Sequence, residues 1–166
     1  MLGVIANPVK TISIEMPCEK VMGVMPLIPI LHKKYKKTSA DDLLKLFVFE
    51  ASELLSLGVY IDVTLASNGE SKTDITVEVK RKIGAFDKRH EVQLANDHIS
   101  KVFELISLSL KKDDAEIADI IKKAEEAEVK KQEYINKPAS KTTNAIVLIV
   151  ALLFAGAMGY YLYSTM

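Results

Sequence analysis

Cysteine occurs only once in this 166-residue chain, so neither an internal disulfide nor a multi-thiolate metal site can form within it. Net charge is missing too. The 22 Lys and Arg residues are matched by 22 Asp and Glu, which removes the global electrostatic reason to expect nucleic acid as a partner. Catalytic signatures are equally scarce: there is no CxxC, GxSxG, Walker or GxGxxG motif, and His32, His90 and His98 are scattered without H-x-x-x-H or H-x-E spacing. Cys18 stands at helical spacing from Val21 and Met22, where a small core residue is expected. Asp97-His98 is the one adjacent acid–histidine pair, and Asp97 is expected at a helix start, where capping accounts for it. We therefore expect no catalytic residues, no metal and no cofactor. The first ten residues have a short apolar run before Asn7 and Pro8 and no basic leader, so no export signal is read there.

What is present is unevenly placed, because no charged residue lies beyond Lys141. Residues 145–162, AIVLIVALLFAGAMGYYL, form a run of 18 uncharged positions. As a helix this run would span about 27 Å, close to the hydrocarbon thickness of a bilayer. Tyr160, Tyr161 and Tyr163 suit the far interface and Lys137 and Lys141 the near one, which places the Lys-bearing side in the cytoplasm. The expectation is a single-pass membrane protein with a cytoplasmic N-terminal body and a C-terminal anchor. Ala151, Ala155 and Gly159 recur at four-residue spacing, where a transmembrane helix of another subunit can approach closely. Incidental small residues in a lipid-facing anchor would give the same pattern.

Along the body, residues 11–16 alternate with Ile12, Ile14 and Met16 on one face, which reads as a strand. Pro17 then opens a short amphipathic helix through Cys18, Val21, Met22 and Met25, ended or kinked by Pro26 and Pro29. Residues 32–37, HKKYKK, form a basic patch, residues 39–42 a polar turn, and residues 43–50 a strand. Residues 59–65 and 74–80 are alternating strands joined through Asn68-Gly69, a hairpin signal. A further strand is expected through His90, Val92 and Leu94, followed by a helix capped at Asn96-Asp97 with Ile99, Val102, Phe103, Ile106 and Leu110 on one stripe. The groups Lys80-Arg81-Lys82 and Lys88-Arg89-His90 read either as one positive face or as ordinary solvated charges. Residues 111–141 hold eight acids and eight bases, acids leading and lysines trailing, as suits a solvated stalk helix stopped near Pro138. Ile117, Ile120, Ala124 and Ala127 give it a narrow seam, too short for a self-standing coiled coil.

The element order, the Pro17-Cys18-Glu19-Lys20-Val21 passage into the first helix, the T-x-x-x-V-x-x strand at residues 73–79 and the closing helix resemble the START-like, helix-grip superfamily, also called SRPBCC or Bet v 1-like. The resemblance covers residues 11–112, a body short for that fold by one strand or helix. It implies an α+β domain whose antiparallel sheet grips a C-terminal amphipathic helix. It also implies a lipid or other apolar ligand held between them, beside Val63, Val77, Phe103 and Ile106; in so short a chain that space is alternatively filled by side chains. The expected organisation is an α+β domain at 1–112, a charged helical linker at 113–141 and a transmembrane anchor at 142–166. Two functions follow: a non-catalytic interaction or assembly protein, such as an accessory subunit of a membrane complex, or binding and transfer of a lipid or hydrophobic small molecule. The expected partners are the membrane, other membrane-protein subunits and a lipid, with no nucleic acid.

Overall fold

The computed structural model describes residues 5–52 and 58–136. Among these residues five strands and four helices follow in the order β1 Val9–Ile14, α1 Cys18–Val24, α2 Leu27–Leu31, β2 Tyr35–Asp41, β3 Leu46–Ala51, β4 Val59–Ser67, β5 Thr73–Arg81, α3 Arg89–Leu110 and α4 Asp114–Asn136. The strands form one antiparallel sheet in the order β1-β5-β4-β3-β2. The chain divides into two compact units, Met1–Glu125 and Glu126–Met166. In the second unit the described residues are the end of α4.

Period-two hydrophobicity makes the sheet amphipathic. Ile61, Val63, Ile75, Val77 and Val79 point to one face and are completely buried, as is Phe49 on β3. The amphipathic α3 lies on that face and buries Ala95, Ile99, Val102, Leu105 and Ile106 in the same core. Proline sets the path into the first helices: Pro17 precedes α1 in extended conformation, and Pro26 precedes α2, which carries Pro29 in its first turn. The hairpin between β4 and β5 turns at Asn68-Gly69, with Gly69 at φ +86° and the Asn68 N–H donating to the Lys72 carbonyl at 2.8 Å.

The opposite face of the sheet is a ladder of charge. Lys80 bonds Asp62 at 2.7 Å and approaches Glu78 at 3.3 Å, while Lys82 bonds Glu50 at 2.7 Å with its ammonium 5.4 Å from the Tyr60 ring centre. The hydrogen bond from Lys82 holds the Glu50 carboxyl below its usual range, and the bond to Asp62 raises Lys80. Arg81 pairs with Glu91 at 3.2 Å. The Lys80-Arg81-Lys82 group is thus neutralised by local acids.

Two local expectations are overturned. Residues 39–41, expected in a polar turn, belong to the edge strand β2, and the turn falls at residues 42–45, with Lys45 at φ 51° and Asp41 Oδ1 accepting the Leu44 N–H at 2.9 Å. Only Tyr35 of β2 is buried, so this strand is held by backbone pairing to β3 and carries no hydrophobic alternation to announce it. The second correction concerns residues 90–94, expected as a strand. They are the first turns of α3, which places Asp97 in mid-helix, where it caps nothing. Val92, Ala95, Ile99 and Val102 extend one helical stripe backwards, whereas Leu94 is 47% exposed and its alternation with Val92 was coincidental.

Where the stalk was expected, α4 begins after a three-residue break at residues 111–113. Asp113 caps it reciprocally: Asp113 Oδ1 accepts the Glu116 N–H at 2.7 Å, and Glu116 Oε2 faces the Asp113 N–H at 3.4 Å. Ile117, Ile120 and Ile121 are partly buried against the core, and Asp119 pairs with Lys123 at 2.6 Å. Among the described residues no helix is long and apolar enough to cross a membrane. The expected anchor, with Lys137, Lys141, Ala151, Ala155, Gly159, Tyr160, Tyr161 and Tyr163, lies outside the described residues.

Candidate functional site

Side chains fill the space between the sheet and the middle of α3. Val63 and Val77, expected beside a ligand, are fully buried among Ile61, Val79 and Val102 in the core cluster. Among the described residues open clefts remain, and one lies at each edge of the sheet.

The first is apolar and holds about 320 Å³. Ile12 and Ile14 of β1, Met16 just after it, and Phe103, Ile106 and Leu110 of α3 form its walls, with Ile75 at its back. Ile12 pairs with Ile75 across β1 and β5, so the register sets the floor. The Thr73 hydroxyl, itself fully buried, donates to the Met16 carbonyl at 2.7 Å and pins the chain where it leaves β1. Glu15, Ser107 and Lys111 supply a polar rim. Phe103 and Ile106, both expected near a ligand, meet here. Val63 and Val77 lie outside this lining.

The second cleft is polar, larger at about 630 Å³, and built by residues from the end of α2, the start of β2 and the first half of α3. His32, Tyr35 and His98 form a cluster of tilted rings: the His32 and Tyr35 ring centres are 4.5 Å apart, those of Tyr35 and His98 5.6 Å, and Tyr35 Oη lies 3.0 Å from His98 Nδ1. The Tyr35 N–H donates to the His32 carbonyl at 2.9 Å, fixing the two rings on one short segment. Burial pushes the Tyr35 phenol up to about 12. The His32 imidazole is held below its usual range, by burial first and then by the positive charges of Lys101 and Lys34 and by His98, with Glu104 pulling the other way. His32 Nδ1 is buried without a hydrogen-bond partner. Lys34, Ser52, Leu94, Asp97 and Lys101 complete the lining.

Histidines that are scattered in sequence thus converge in space. The signal was present in the helical spacing of Leu94, His98 and Lys101, and it was hidden because α3 was expected to begin at residue 96. Cys18 sits at 3% exposure in the core, in keeping with its helical spacing. Among the described residues no three His, Cys, Asp or Glu side chains gather to hold a metal ion.

No family model and no curated protein matches this sequence. Solved structures do. The structure of Ara h 8.0201 aligns with 66% of this chain over its own full length, at 15% identity and a TM-score of 0.46. Norcoclaurine synthase from Thalictrum flavum, in complex with dopamine and hydroxybenzaldehyde, aligns with 65% of this chain over 88% of its own, at 10% identity and a TM-score of 0.44. A START superfamily protein from Mycobacterium smegmatis aligns with 63% of this chain over 97% of its own, at 8% identity and a TM-score of 0.41.

Proposed function

We propose that the folded body binds a lipid or other hydrophobic small molecule and that its C-terminal tail holds it at a membrane. The apolar cleft between β1, β5 and the second half of α3 carries the binding reading. Its volume of about 320 Å³ falls within the range of small-molecule pockets. Ile12, Ile14, Met16 and Phe103 are only partly buried there, and an apolar ligand would remove their remaining surface from water at about 25 cal/mol per Å². The location rests on the 18 uncharged residues at 145–162. Ala151, Ala155 and Gly159 favour a second reading, in which the tail packs on a larger membrane complex and the body is a non-catalytic interaction surface.

Native mass spectrometry of the full chain, extracted from its membrane in a mild detergent, tests both. Binding predicts a reproducible small adduct that disappears in Ser107→Trp, where an indole placed from an exposed position on α3 fills the cleft. An unliganded mass, or an adduct indifferent to Ser107→Trp, would reject the cleft as the site. Added masses of whole proteins, lost when Ala155 and Gly159 are both replaced by Leu, would favour the assembly reading.

A further inference from the structure

The polar cleft lies at the β2 edge of the sheet, the far edge from the apolar one, and the proposed function makes no use of it. We infer that it is a binding site for a small organic molecule bearing an anionic oxygen group, a carboxylate or a phosphate.

Three observations converge on that chemistry. First, Lys34 and Lys101 line the cleft against one acidic lining residue, the exposed Asp97. Glu104, one turn further along α3, bonds Lys101 at 2.9 Å, so an incoming anion shares or displaces an exposed pair that is itself weakly held. Second, His32 lines the cleft with its Nδ1 buried and without a partner, a costly condition that ends when the ring turns an N–H toward an anionic oxygen bound there. Third, the cleft offers more than charge. Its volume of about 630 Å³ suits an organic molecule, the half-exposed Leu94 provides an apolar wall, and Tyr35, bonded to His98, holds that imidazole in place at the cleft. The groups facing His32 are Lys34 and Tyr35 from its own segment and His98, Lys101 and Glu104 from α3; the cationic ones hold its charged form down until an anion offsets them.

That coupling supplies the test. The imidazole C–H resonance of His32 is followed by NMR through a pH titration of the full chain in non-ionic detergent, alone and with benzoate, phenyl phosphate or neutral benzyl alcohol. The expected result is a saturable shift with benzoate or phenyl phosphate and a His32 titration midpoint moved upward by the bound anion. The stronger of the two identifies the headgroup. Lys34→Gln and Lys101→Gln should each weaken binding about tenfold, as the loss of one charge-assisted contact implies, while Lys122→Gln on α4 leaves it unchanged. Both lysines are at least partly exposed, so their replacement should leave the thermal unfolding midpoint in place. No saturable shift with either anion, or a shift as large with benzyl alcohol, would overturn the assignment.

Discussion

Tyr35 is 2% exposed and its hydroxyl reaches across to His98 of α3, so deletion of one oxygen separates what the ring packs from what the hydroxyl holds. Tyr35→Phe should keep the ring packing and cost about 1 kcal/mol, measured as a shift in the denaturant midpoint at unchanged slope. The pH dependence has a definite sign. The folded phenol titrates at about 12 against an ordinary 10.0, so the folded state keeps a proton that the unfolded chain gives up. Its contribution to stability is complete below pH 10 and is lost as pH rises toward 12. Tyr35→Phe should therefore flatten the alkaline limb of the stability curve, and ultraviolet titration of the folded protein should show one late phenol that the variant lacks. At this scale the sequence was least legible. Tyr35 looked like one residue of a basic patch, because the lysines on either side dominate the segment and nothing local reveals that β2 turns this one ring inward.

Elements with a strong internal period were readable without tertiary information. β4 and β5 alternate over nine residues each and sit where the hydrophobic pattern placed them, and β1 and α1 differ from expectation only at their ends. The elements misread are those whose identity depends on neighbours: β2, which is exposed throughout apart from its first residue, and the first turns of α3, where two periods overlap. The clefts were illegible for the same reason, since each is bounded by elements far apart in sequence. The break between α3 and α4 has a local cause. Asp113 and Glu116 satisfy each other's backbone N–H groups, so helix α4 starts on its own cap and does not run on from α3. Asp113→Ala should destabilise the first turn of α4 by about 1 kcal/mol. Hydrogen exchange at residues 114–117 should quicken several-fold while the amides of β4 and β5 stay protected; uniform quickening would mean that the cap supports the whole fold rather than one helix end.

At the scale of the whole molecule, the α+β class was legible because strands of period two and helices of period 3.6 are spelled out separately, and a sheet with one apolar face must find a helix to cover it. The core behind that face is closed, with Ile61, Val63, Val77 and Val102 at zero exposure, so capacity for a ligand is left to clefts outside it, including those at the two edges. The strand order holds a further consequence, for the sequence of events in folding. β2, β3, β4 and β5 follow one another as a chain of neighbours, each pairing with the next, so they assemble through short loops. β1 is different: Thr11 meets Thr76, 65 positions away, and α1, α2 and the other four strands come between or beside them. Closing so long a loop costs entropy that only the finished meander can repay, so β1 should dock late. Conservative core substitutions such as Ile12→Val should then speed unfolding with little effect on the folding rate, while Ile61→Val slows folding; the reverse pattern would make β1 part of the nucleus. Because β1 is also one wall of the apolar cleft, the nascent chain has a hydrophobic trough open along β5 until its own N-terminal strand returns to close it.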